Sequence, residues 1–146
     1  MTSKLQDVLR TALGDHLVGL VLFGSRARGS AREDSDWDIL LVAEDLPERS
    51  FPRHRFLIET LPPQLRSRVN LLARTPEEFE GQSSPLYLDV AAEGRIIYDP
   101  SGRIARRLEN LRAWAASAGL ARREDASGVQ WLSEGVAPLS WMRKGA

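Results

Sequence analysis

Two aspartates one residue apart, Asp36 and Asp38, stand at the head of the apolar run "DILLVA". A Gly24–Ser25 pair precedes them, with ten residues between, in "LFGSRARGSAREDSDWDILLV". Side chains alternate across a strand, so Asp36 and Asp38 are expected on one face, with Trp37 and Ile39 on the other. Neighbouring carboxylates repel and resist desolvation, and a divalent cation is the natural compensating charge. Mg2+ suits the pair, as does Mn2+. Such hard ions, held by one or two carboxylates, take their remaining ligands from water and phosphate oxygens. The Gly24–Ser25 turn offers those phosphates a seat: glycine permits close backbone approach, and the amides of the next helical turn and the Ser25 hydroxyl can cradle an anion. Arg26 and Arg28 add positive charge to that cradle. Either half alone is commonplace. Joined across one short connection between two apolar strands, they point to an anion cradle linked to a metal pair.

The flanking elements must hold these groups. "LVGLVLFG" reads as a strand buried on both faces, "ARGSARED" as a turn with one helical turn, and "DWDILLVA" as the next strand. Before them, Leu5, Val8, Leu9 and Leu13 recur at helical spacing, with Thr2 and Ser3 as expected caps and Gly14 as the stop. After them, "EDLPERSFP" is expected to be a loop, and "RHRFLIETL" a short helix ended by Pro62 and Pro63. "RSRVNLLAR" reads as a third strand and "RIIYD" as a fourth. Between these two lie two short helices, one started by Thr75 and Pro76 and the other by Pro85 and stopped at Gly94. Ile104, Leu108, Leu111 and Ala115 form the buried stripe of the last clear helix. Beyond Gly119 the signals fade around Trp131 and Trp141, and the closing "RKGA" is expected to fray. The pattern is α/β, with a small mixed sheet flanked by helices. A main domain over 1–120 is expected to carry a C-terminal extension, 121–146.

Composition narrows the chemistry. The chain has 146 residues, the size of one ordinary domain, and lacks cysteine, which excludes disulfides and thiolate chemistry. With only His16 and His54, a histidine-rich metal site is also disfavoured, so a metal would be held by oxygen. No apolar run is long enough to span a bilayer and no leader pattern opens the chain, so a cytoplasmic location without membrane association is the expectation. The net charge of zero and the acidic motif region disfavour nucleic acid as a partner. The arginine-rich stretches 49–74 and 103–123 read first as solvated helix faces and second as a partner surface. Tyr87, Tyr98, Trp114 and Trp131 read first as packing residues and second as base-stacking platforms. Glu77 and Glu78 read as first-turn partners of their helix.

"GSRARGSAREDSDWDILLV" resembles the signature of the nucleotidyltransferase superfamily of DNA polymerase β, in its small single-domain form. The likeness is detailed over residues 18–43 and looser through "RVNLLARTPEEFE" and "SPLYLDVAAEGRIIYD". It implies that Gly24, Ser25, Arg26 and Arg28 bind the triphosphate of a nucleotide and that Asp36 and Asp38 bind metal. The implied reaction moves a nucleotidyl group, commonly AMP from ATP, to a hydroxyl on a protein, RNA or small molecule. A third carboxylate normally completes such a site, and the matching position here is Asn70 in "RVNLL". Asparagine offers a neutral oxygen but neither negative charge nor a general base. Glu59 and Asp89 are candidate substitutes. The resemblance therefore implies two classes: a working transferase, or a nucleotide-binding, antitoxin-like protein that acts on a separately encoded helical partner. A homodimer is a further way to complete the acceptor surface.

Overall fold

The computed structural model describes residues 1–125 and 128–133; Trp141 and the closing "RKGA" lie outside the described residues. A four-stranded mixed sheet, in the order β3-β2-β1-β4, forms the middle layer. Strands β1 (Leu17–Phe23) and β2 (Trp37–Ala43) run antiparallel, β3 (Val69–Arg74) lies parallel to β2, and β4 (Arg95–Tyr98) is antiparallel to β1.

Each face of the sheet buries its own apolar layer. Leu20, Leu22, Ile39 and Leu41 meet Leu5 and Leu9 of α1 (Thr2–Leu13) and Leu57 of α3 (Ser50–Thr60). Val21, Leu40 and Val42 face the other way, against Phe79, Leu88 and helix α7 (Arg103–Ser117). This division is the period-two alternation expected of strands covered on both sides. The buried residues of α7 are Ile104, Leu108, Leu111 and Ala115, the stripe read from the sequence. Gly19 makes that contact possible, because a Cβ there would lie 2.3 Å from the Ile104 side chain.

Several boundaries differ from expectation. Met1 is the N-cap of α1 and no side chain caps it, so Thr2 and Ser3 belong to the first turn. Helix α3 starts at Ser50 and takes Pro52 into its first turn, where a missing amide N–H costs nothing. Pro63 opens a further short helix, α4 (Pro63–Arg66), at the position proline favours, so β3 begins at Val69. Helix α5 (Pro76–Gly81) has the full capping box: the Thr75 hydroxyl accepts from the Glu78 amide, and the Glu78 carboxylate accepts from the Thr75 amide. Ser84 caps α6 (Pro85–Glu93) by accepting from the Tyr87 amide. Where the sequence signals fade, β5 (Leu120–Asp125) and β6 (Gly128–Ser133) pair as an antiparallel hairpin.

Candidate active site

The two halves of the motif meet at Gly24. It leaves β1 with φ 74° and ψ −158°, a conformation that L side chains rarely adopt. A Cβ at Gly24 would lie 2.2 Å from Asp38 Oδ2, so the aspartate carboxylate fills the space that any other residue would need. Helix α2 (Ser25–Arg28) follows at once, with the Ala27 and Arg28 amides donating to the Gly24 carbonyl. The amides before them have no partner within the helix, as at every helix start.

Asp38 is half-buried, opposite Phe23 on β1 and beside Asn70 on β3. Asn70 Nδ2 donates to Asp38 Oδ1 at 3.1 Å, so the position for which the family resemblance implies a third carboxylate lies directly beside Asp38. Asp36 lies one residue before β2 and is exposed. Trp37, between them, turns to the opposite face and joins the layer against α1. Its amide donates to the Arg68 carbonyl at 2.8 Å, which fixes the start of β2 beside β3.

The arginines are placed differently from the cradle expected of them. Arg26 Nη2 donates to the Glu33 and Ser35 carbonyls, and its guanidinium stacks 4.6 Å from the Trp37 ring centre. It ties down the loop before β2 and is directed to the Trp37 face, away from Asp38. Arg28 Nη1 lies 3.4 Å from Glu93 Oε2 on α6. Glu93 is held more closely by Arg122 of the hairpin, at 2.9 Å. This partner sits 65 residues from Arg28, and no local sequence signal marks it.

Neither candidate substitute acid joins the pair. Glu59 is exposed and bonds Arg55 one turn earlier on α3. Asp89 Oδ1 accepts from Arg122 Nε and from Trp131 Nε1, which docks the hairpin on α6. Among the described residues, no group of three His, Cys, Asp or Glu side chains is arranged to hold a metal ion. The donors at hand are two carboxylates and one amide, an all-oxygen set that fits a hard divalent ion but carries one negative charge fewer than three acids would.

The remaining candidates serve structure. Tyr87 is buried edge-on against Phe79; its hydroxyl accepts from Arg74 and donates to Gln82, and burial pushes its ionisation up. Tyr98 lies under the Arg10 guanidinium, and Trp114 is partly buried against the α7 layer. His16 sits near Asp45 on the surface, and His54 lines a cavity beside β3. Burial drives the Glu78 carboxyl upward, but the Thr75 amide and the Arg53 guanidinium outweigh it and hold it below the usual range. In the arginine-rich stretches, Arg53, Arg66, Arg107 and Arg112 each donate to backbone carbonyls.

The profile of the nucleotidyltransferase domain family matches residues 3–99. A protein of Methanocaldococcus jannaschii named "Putative protein adenylyltransferase MJ1305" is 34% identical over 103 residues, spanning 68% of this chain and 70% of that one. A toxin–antitoxin crystal structure with AMP-PNP superposes with a TM-score of 0.59 at 22% identity, over 80% of this chain and 87% of that chain. The structure of a tri-AMPylated Shewanella oneidensis HEPN toxin with its MNT antitoxin gives a TM-score of 0.50 at 19% identity, over 80% and 87% of the two chains. At such identities these structures speak for a shared fold.

Proposed function

The chain belongs to the nucleotidyltransferase domain family, with the polymerase β-like fold, and we propose that it transfers AMP from a magnesium-bound ATP to a hydroxyl on a protein. The observation that carries this reading is the close approach of the Gly24 turn to the Asp38 carboxylate, which would bring a phosphate cradle beside a metal held by Asp36 and Asp38. Asp36 and Asp38 would hold the ion, Mg2+ or Mn2+, and Gly24, Ser25 and Arg28 would hold the phosphates, Arg28 after leaving Glu93. When bound, such an ion would supply positive charge as the acceptor hydroxyl oxygen bonds to the α-phosphorus, pyrophosphate leaves and the hydroxyl proton passes to solvent. The residues supply position and electrostatics, which carry most of such a reaction. Asn70 can lend its side-chain oxygen but cannot take the acceptor's proton. The name of the M. jannaschii relative, a protein adenylyltransferase, favours protein as the acceptor over RNA or a small molecule. In this reading residues 1–120 form the transferase domain, and the hairpin belongs to an extension packed on it.

A second reading rests on Asn70. Its bond to Asp38 satisfies a carboxylate oxygen without adding charge, an arrangement suited to binding a nucleotide with little turnover. The chain would then act as the nucleotide-binding half of a toxin–antitoxin pair, the setting of the structural neighbours. Incubation with α-labelled ATP, Mg2+ and cellular protein separates the two. Label that reaches a protein band, and is lost in the Asp36→Asn, Asp38→Asn double variant, supports transfer. Magnesium-dependent ATP binding without label transfer supports the second reading.

A further inference from the structure

Glu93 is the last residue of α6, and its carboxylate is shared by two arginines from different parts of the chain. Arg28 comes from the end of α2 and Arg122 from β5 of the hairpin. The two are not held equally. Arg122 Nη1 lies 2.9 Å from Glu93 Oε1, an ordinary charge-assisted distance, whereas Arg28 Nη1 lies 3.4 Å from Oε2, a loose one. All three side chains are partly buried, so solvent screens their charges less than those of an exposed pair. The carboxylate is anchored from behind: a Cβ on Gly94 would strike the Val90 carbonyl and the Val21 side chain, so α6 ends tight against β1. Arg122 is held a second time by Asp89, one turn earlier on α6, and Trp131 shares that acceptor. The hairpin thus sets a fixed cation against a fixed carboxylate, and Arg28 is the loosely held third member. Arg28 lies three residues after Ser25, so the two share a face of α2, and a helical side chain leans back over the turn before its own. For an Arg28 that has left Glu93, that turn is the Gly24–Ser25 start of the helix.

We infer that Glu93 is a positioning residue for Arg28, and that the hairpin, through Arg122, sets how readily Arg28 reaches the phosphates. Arg122 neutralises the carboxylate that otherwise keeps Arg28 out of the cradle. The inference rests on the nucleotide site proposed above. Its consequence is that removing either partner of the Glu93–Arg122 pair acts on the nucleotide in opposite directions. Glu93→Gln releases Arg28; Arg122→Gln leaves the carboxylate to Arg28, while Trp131 still anchors the hairpin on Asp89.

The test titrates the full chain with a non-hydrolysable ATP analogue and Mg2+ by calorimetry. Glu93→Gln is expected to tighten binding and Arg122→Gln to weaken it, each by about threefold or more, as for one partly buried ion pair. The double variant is expected to bind as tightly as Glu93→Gln alone, because Arg122 then has no carboxylate to neutralise. In the nucleotide-free chain, rotation of the Arg28 guanidinium, followed by NMR and assigned by its loss in Arg28→Lys, is expected to quicken in Glu93→Gln and slow in Arg122→Gln. A folded native chain that binds no nucleotide would overturn the nucleotide reading and this inference together. Native binding with both variants shifted the same way, or neither shifted, would overturn this inference alone. So would a double variant that returns to native affinity, the sum of two independent charge effects, or an Arg28 guanidinium that rotates alike in all three chains.

Discussion

In the proposed transfer, Asn70 is the residue on which activity would turn. It stands in register with Asp38 and donates to it, so Asn70→Asp replaces a hydrogen bond with a second carboxylate against the first. Without metal, that variant is expected to lose roughly 1 kcal/mol of stability through like-charge repulsion. With Mg2+ it is expected to gain stability instead and to transfer label about tenfold or more faster, as a third ligand and proton acceptor enters the site. Thermal melts with and without Mg2+, beside the α-labelled ATP assay, check both signs. Gly24→Ala tests the other half of the site. Its Cβ has no room beside Asp38 Oδ2 and its φ lies in the left-handed region, so a loss of about 1–3 kcal/mol is expected, together with weaker metal binding. Normal metal affinity in a stable Gly24→Ala protein would contradict the contact.

At the scale of elements, Glu78 and Asp89 do the joining. Glu78 closes the α5 capping box and bonds Arg53, which also holds the Pro47 and Ala73 carbonyls. Its carboxyl is held below its ordinary value of 4.5 in the fold. A carboxyl depressed in this way stabilises the fold above its unfolded value and stops doing so as pH falls through the folded one. Glu78→Gln is therefore expected to cost about 1 kcal/mol at neutral pH, a cost that shrinks below about pH 4.5 in denaturation series. Asp89→Ala removes the acceptor shared by Arg122 and Trp131. Faster amide exchange in β5 and β6 with unchanged protection in β1 and β2 is expected. This hairpin is the element hardest to read from sequence. Arg122, Arg123 and Glu124 interrupt its alternation, and the residues that dock it are supplied by α6, more than thirty positions away. The α7 stripe and the Thr75 cap were legible because their partners lie within one or two helical turns.

For the whole molecule, the sheet is a platform buried on both faces, with the paired acids at one end. Leu20 lies fully buried at its centre, and Leu20→Ala is expected to cost about 2–5 kcal/mol, read in urea denaturation. The Gly24 turn and the strand that carries Asp38 were legible in the sequence because turn chemistry and strand alternation are local, whereas Asp36 lies one residue before that strand. The positions of Arg26 and Arg28 were not, since carbonyls of a loop, the face of Trp37 and a carboxylate on α6 decide where those guanidinium groups go. The central claim is that the Gly24 turn and the paired acids form one magnesium–nucleotide site. Calorimetric titration with a non-hydrolysable ATP analogue, with and without Mg2+, tests it most directly when run on the native chain beside the Asp36→Asn, Asp38→Asn variant. The account predicts binding that requires Mg2+ and is lost in the folded double variant. A folded native chain that binds no nucleotide, or a double variant that binds as well as the native chain, would contradict it.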